Sequence, residues 1–382
     1  MISKNIVFFN FKNKKNTKKK ILLKKYLKNL LTDKSEFIKS LGSGYIKNYN
    51  INIFKKKLDL KIIGVGGSIL GAKAINQFLS NKIKKKVQFI DNLSNNNVKN
   101  NKKNLNIVIS KSGNTLETIF NANVIIKKKD QNIFIIENRN NELIYLAKKL
   151  KSEIIEHNNF IGGRYSVLSE TGMVPAELMG LNPDKFRQLN NIVKNKIFLD
   201  TLVNNVNSIL AISKKRTNAI LLNYNPELES ILDWYKQLIS ESLGKQKKGF
   251  LPVISNMPKD NHSIMQLYLD GAQNNFFTFF SLKNQKGIKT NNYRFSKNFN
   301  FLKDLSSNQI LKIQEEATKN VFIKKNIPFR SFEILKKSEE TLGELFIFFM
   351  FEVILLARAL KINPYDQPSV ELIKKETKRI LY

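Results

Sequence analysis

Short apolar runs recur along the first half of the chain, each ended by a polar or glycine-rich turn and followed by a helical stretch. Leu60–Ile63, Val87–Ile90, Leu105–Ile109, Ile133–Ile136 and the shorter Glu153–Glu156 read as strands, with Ile69–Leu79 a helix between the first two. Strands that are apolar on both faces must be covered on both faces, which is the signature of a parallel sheet flanked by helices. A second alternation follows, with Ala219–Leu222, Leu251–Ile254, Phe276–Phe280 and Phe329–Ile334 as its strands. The pattern predicts an α/β chain with two doubly wound parallel sheets and helical N- and C-terminal segments. The expected divisions are a helical segment over 1–45, a first α/β domain over 46–185, a second over 186–360, and a terminal helix over 361–382. The stretch 184–215 reads as one long helical crossover, 283–310 as a surface loop, and 338–361 and 369–381 as the closing helices.

The chain is long enough for a sizeable core, with 382 residues of which 42% are hydrophobic. It has no cysteine, which excludes disulfides and thiolate metal sites and fits a reducing compartment. Lysine and arginine outnumber the acids 65 to 31, a formal charge of +34. Such a charge ordinarily points to a polyanion. Here the lysines are spread through every segment, and Asn, Ile and Phe are abundant with them. All four have codons rich in A and T, so compositional drift accounts for the excess, and no specific nucleic-acid partner is expected. A polyanion-binding role would instead show steep salt dependence. Ile6–Phe9 is too short for a secretory apolar core, and Leu345–Leu360 contains Glu352 and Arg358. The latter reads as a buried helix rather than a membrane span. A soluble, cytoplasmic protein without a membrane partner is expected.

In parallel sheets, ligands bind where strands end and helices begin. Two such places stand out. Gly64-Val65-Gly66-Gly67-Ser68 follows the first strand; its pattern departs from the G-x-G-x-x-G of dinucleotide sites. Ser110-Lys111-Ser112-Gly113-Asn114-Thr115 follows the third. Its hydroxyls, free N–H groups and helix dipole suit a monophosphate, and equally suit an ordinary capped turn. Gly162-Gly163-Arg164-Tyr165-Ser166 places a guanidinium beside a backbone that can approach a ligand closely. Further on, Gln237 and Glu241 stand four apart, on one face of a helix that Gly244 can end. A glutamate there can be a general base or simply a solvated side chain. Only two histidines exist, His157 and His262, and His157 reads as structural.

These blocks, with His262 in Asp260-Asn261-His262-Ser263 and Tyr365-Asp366-Gln367-Pro368-Ser369-Val370-Glu371-Leu372-Ile373-Lys374, resemble the phosphoglucose isomerase family in order and content over about residues 60–380. The resemblance implies two sugar-isomerase (SIS-type) α/β domains and aldose–ketose interconversion of glucose 6-phosphate and fructose 6-phosphate, without metal or organic cofactor. It implies that Ser110, Lys111, Ser112 and Thr115 bind the phosphate, beside Gly67 and Ser68. Glu241 would move the proton between C2 and C1, and Arg164 would face the cis-enediolate. His262 and Lys374 would serve ring opening, and Gln237 and Gln367 would position the sugar. It also implies a homodimer in which the histidine crosses from the partner subunit. Two positions depart from the family pattern: Ser369, where glycine is common, and Glu170, where a small residue is. The alternatives are a bifunctional phosphoglucose/phosphomannose isomerase and a sugar-phosphate-binding regulator without chemistry.

Overall fold

The computed structural model describes residues 1–13, 16–56, 59–93, 104–283, 287–291 and 295–381. Its strands are β1 (Ile6–Phe9), β2 (Asp59–Ile63), β3 (Lys86–Ile90), β4 (Asn104–Ser110), β5 (Gln131–Ile136), β6 (Glu153–Glu156), β7 (Asn218–Asn223), β8 (Leu251–Asn256), β9 (Asn275–Leu282) and β10 (Phe329–Ile334). They form two sheets, in the orders β3-β2-β4-β5-β6 and β1-β10-β9-β7-β8. All pairings in the first sheet are parallel. The strands of the second sheet from β7 to β10 are parallel too, as the apolar patterning predicts.

Side-chain alternation divides each sheet between two cores. Leu60, Ile62, Leu105, Ile107 and Ile109 join a large central cluster that also takes Ala219, Leu221, Phe276, Phe280 and Phe332 from the second sheet. Ile63, Val108, Phe134 and Ile136 face a separate cluster with Leu143, Ile144 and Ala147. Ile220, Leu222, Phe277 and Phe279 pack away from the centre against Tyr268, Phe322 and Phe329. The helix Glu339–Leu360 runs through the middle and is buried over nearly its whole length. The charge at its middle, Glu352, is matched by Arg330 of β10, with Tyr235 and Asn205 also donating to the carboxylate. The Arg330 guanidinium is completed by Thr278 Oγ1 at 2.9 Å and Asn205 Oδ1 at 2.8 Å. No helix among the described residues is long and apolar enough to cross a membrane.

Three expectations change. Ile6–Phe9, taken as part of a helical N-terminal segment, is the edge strand β1, paired antiparallel with β10. β10 would otherwise present an open edge, and Phe8 lies 4.7 Å from the Phe332 ring. A helix does follow, over Thr17–Leu31. The crossover at 184–215 is three helices, Pro183–Phe186, Leu189–Lys194 and Lys196–Ile212. Arg187 and Asn195 leave helical geometry, and the Asn195 side chain caps the third helix by accepting from Phe198 N. Within 283–310 there is a short 3-10 turn, Lys297–Leu302, and Ser306 opens the helix Ser307–Lys324 with a capping box. Residues 94–103 of the polar loop expected after β3, and 284–286 and 292–294 of the later loop, lie outside the described residues.

Candidate active site

The order of the first sheet reverses between β2 and β4, so its crevice lies beyond the carboxyl ends of these two neighbours. The loops emerging there are Gly64–Ser68 and Ser110–Thr115. The first packs on the end of β4, just before the second: a Cβ on Gly64 would stand 2.8 Å from Ile109 O. The other flank of the Gly64–Ser68 turn packs on the arginine block. A Cβ on Gly67 would lie 2.4 Å from Gly163 C and 2.6 Å from Arg164 N. Gly66 adopts φ +56°, a left-handed conformation suited to glycine, and a Cβ there would be 3.0 Å from Gln237 Nε2. One small-residue turn therefore abuts the strand end that leads into the hydroxyl-rich loop, the arginine and the helix that carries Gln237 and Glu241.

That helix, Glu229–Leu243, is oriented by its opposite face. Trp234, Tyr235, Leu238, Ile239 and Ser242 are buried. The Trp234 ring meets Phe346 at 4.7 Å, and Tyr235 stacks on Phe349 at 4.1 Å. Gln237 and Glu241 are left facing the crevice. Gln237 Nε2 donates to Glu241 Oε1 at 2.8 Å, and Arg164 Nη1 donates to Glu241 Oε2 at 3.1 Å. Both carboxylate oxygens are thus held, yet the side chain remains 24% exposed, open to a ligand. Gln237 Oε1 is buried and has no hydrogen-bond partner among the described residues, a free acceptor in the crevice wall.

Arg164 is buried and uses all five of its N–H donors. Nε donates to Ser242 Oγ at 2.8 Å, and Nη1 to Glu241 and to Gln367 Oε1 at 2.9 Å. Nη2 donates to the carbonyls of Pro364 at 2.5 Å and Asp366 at 3.0 Å. A buried guanidinium is tolerable only when matched this completely. Its two exchangeable side-chain partners, Glu241 and Gln367, share a single nitrogen. Arg164, Gln237, Glu241 and Gln367 therefore form one cluster, drawn from three separate stretches of chain.

In the neighbouring loop, Gly113 at φ +67° turns the chain, and its N–H donates to Ser110 Oγ at 3.2 Å. Ser110 Oγ lies 3.1 Å from Thr115 Oγ1, and Asn114 N donates to Ser112 Oγ at 3.3 Å. Thr115 is the N-cap of the helix Leu116–Ile125 but makes no side-chain cap bond. The loop is therefore not an ordinary side-chain-capped turn, and the first N–H groups of the helix are available to an anion. Lys111 turns aside: its Nζ donates to Asn159 O at 2.6 Å and pairs with Glu137 at 3.7 Å. Burial pushes its ammonium below the usual lysine range.

His262 and Lys374 are not joined to this cluster within the chain. His262 is exposed at the end of the 3-10 turn Lys259–His262 after β8. Lys374 pairs with Glu371 at 2.7 Å on the helix Pro368–Leu381, which buries no side chain. Glu170, the charged departure, is buried, and Tyr45 OH donates to it at 2.6 Å; burial raises its carboxyl pKa. Ser369 is exposed. Two contributors escaped sequence reasoning, Ser242 and the Asn363–Asp366 turn. The Asn363-Pro364 break signals a turn, but only the tertiary structure shows that its carbonyls reach Arg164.

The phosphoglucose isomerase family model matches residues 23–382. The chain is 30% identical over 349 residues to the glucose-6-phosphate isomerase of Methanocaldococcus jannaschii, covering 84% of this chain and 83% of that protein. It is 32% identical over 368 residues to the glucose-6-phosphate isomerase of Mycoplasmopsis pulmonis, covering 86% and 84% respectively. Its fold is similar to a hypothetical protein from Thermus thermophilus, with a TM-score of 0.83 at 20% identity and 96% of each chain covered. It is also similar to a glucose-6-phosphate isomerase from Chlamydia trachomatis, with a TM-score of 0.70 at 17% identity, covering 96% of this chain and 84% of that one.

Proposed function

The chain belongs to the phosphoglucose isomerase family, and from that premise we propose that its crevice interconverts glucose 6-phosphate and fructose 6-phosphate. The observation that carries the reading is the Glu241 carboxylate gripped between the Gln237 amide and the Arg164 guanidinium, beside the hydroxyl-rich loop. The phosphate sits in that loop, on the hydroxyls of Ser110, Ser112 and Thr115 and the first helical N–H groups, with Gly67 and Ser68 in the adjoining turn. Lys111 joins it on exchanging its contact with Asn159.

Glu241 takes the proton from C2 of the open-chain aldose. The C–H electron pair becomes the C1–C2 double bond, and the aldehyde oxygen takes the charge. Arg164 stabilises that charge more than it stabilises the substrate, so it lowers the barrier. The same carboxyl group returns the proton to C1. The C2 hydroxyl becomes the ketone as its proton passes to the oxygen on C1. Gln237, through its free Oε1, and Gln367 hold sugar hydroxyls.

Ring opening falls to Lys374 and His262, with the histidine supplied across a homodimer. Two features support that assembly: His262 is exposed in its own chain, and the Lys374 helix exposes Leu372, Ile373 and Ile380. The protein acts in the cytoplasm, in glycolysis and gluconeogenesis.

Conversion of fructose 6-phosphate in deuterated water tests the reading. Deuterium is expected at C2 of the glucose 6-phosphate formed, with the rate in E241Q lower by about 10²–10⁴-fold. Sedimentation of the same active sample should give a dimer. Deuterium at a carbon other than C1 or C2, an undiminished E241Q or a fully active monomer would each contradict the corresponding step.

A further inference from the structure

Lys245 lies just past the end of the Glu229–Leu243 helix, and nothing in the reaction so far uses it. Its side chain is nearly buried, and its ammonium is wholly committed. Nζ donates to Asn363 O, to Asp366 O at 2.6 Å and to Asp366 Oδ1 at 2.5 Å. Three bonds to one short turn amount to a clamp, and charge-assisted bonds are the strong ones. The Lys245 ammonium also holds the Asp366 carboxyl below the usual range.

The clamped turn is the one Arg164 reads. Pro364 O and Asp366 O take the Nη2 donors of Arg164, so Asp366 O is shared by the two cations. Gln367, the next residue, bonds Arg164 Nη1. Beyond it the helix Pro368–Leu381 buries no side chain. The turn is thus the last anchored stretch before Gln367, and Lys245 ties it to the helix that bears Glu241. The aromatic contact of Tyr365 with Tyr165, at 5.5 Å between centroids, adds shape but no direction to the carbonyls.

We propose that Lys245 is a positioning residue of the isomerase: by clamping the Asn363–Asp366 turn it fixes Gln367 and the Arg164 guanidinium relative to Glu241. This rests on the isomerase reading above. Lys245 contacts neither Glu241 nor the phosphate loop, so its removal should spare substrate capture and slow the chemical step. A misplacement of about 1 Å at reacting groups can cost about a hundredfold in rate.

The test is steady-state kinetics with fructose 6-phosphate on the full-length parent, K245M, K245Q, K245R and D366N, each normalised for folded protein by circular dichroism. K245M should lose roughly 10–100-fold in kcat with KM within about threefold. K245Q, measured alongside, should behave the same way and stands in if K245M does not fold. K245R keeps a cation able to reach the two carbonyls and should recover most of the loss. D366N turns one charged acceptor of three into a neutral amide oxygen that can still accept from Nζ, and should stay within about threefold of the parent. A general loss of structure would lower kcat without this rescue and would move the melting temperature with it. An active parent whose K245M and K245Q keep kcat within twofold, or lose it only through KM, overturns the clamp. A parent without isomerase activity overturns the reading beneath it.

Discussion

Replacing Gly67 by alanine tests the contact on which the pocket is built. The added Cβ would meet Gly163 C at 2.4 Å, Arg164 N at 2.6 Å and Gly163 O at 2.7 Å, all backbone atoms. An ordinary contact begins at about 3.4 Å, so the two loops must part by about 1 Å. Neither has room to yield freely. Gly66 and Gly67 lie in a tight turn just after the interior strand β2. Behind Arg164, Val167 is packed against Gly71 and Gly172 so closely that a Cβ on either would stand under 3 Å from it. The displacement therefore passes to the Arg164 backbone and lengthens its 3.1 Å bond to Glu241 beyond hydrogen-bonding range. Overpacking of this kind costs about 1–3 kcal/mol of stability. Misplacing the guanidinium by about 1 Å should lower kcat by roughly a hundredfold. The assay is kcat for fructose 6-phosphate with a parallel thermal melt. G44A is the control, since nothing lies within 4 Å of a Cβ there. A G67A protein with kcat within threefold of the parent and an unchanged melt would refute the reasoning.

Removing the Glu352 carboxylate in E352A leaves the Arg330 charge buried without its partner. It should destabilise the fold by about 3–5 kcal/mol in urea denaturation, whereas R330M/E352L should lose less than that single change; equal or greater loss in the double variant would count against an uncompensated charge as the cause. Burial lowers the His157 imidazole to about 4, below its unfolded value of about 6.5. Between these values the unfolded chain binds a proton that the folded one refuses. This contribution to stability is therefore complete above about pH 6.5 and is lost as pH falls toward 4, on the order of 3 kcal/mol in all. Denaturation midpoints of H157Q should fall less steeply over that window; an unchanged slope would assign the pH dependence to other groups.

The sheets were legible because β2, β4, β5, β7 and β9 are apolar on both faces, a pattern that needs no knowledge of neighbours. β1 was not, because Ile6–Phe9 is a short apolar run alone in a lysine-rich stretch, outside the strand–helix alternation; it is a strand because β10 offers it an edge. The division of the 184–215 crossover turns on Asn195, whose capping role depends on backbone angles at a residue that is otherwise unremarked. Within the crevice, Arg164 stood out beside a glycine pair and Gln237 with Glu241 on one helix face, but the choice of Glu241 over a solvated glutamate, and Gln367 altogether, rested on the family resemblance. Ser242 and Lys245 could not. Ser242 faces inward from a helix and Lys245 is one lysine among many, and each acquires its meaning only from the chain brought against it from residues 363–366.

Arg164 draws its five acceptors from one helix in mid-chain and from a turn some two hundred positions beyond Arg164 itself. During synthesis on the ribosome both sheets are therefore complete before the guanidinium has its last three acceptors. Up to that moment the guanidinium, though paired with Glu241, has three N–H donors without their protein acceptors. Emergence of this turn both satisfies those donors and finishes the crevice, so competence waits on residues 364–367 rather than on the folding of either sheet.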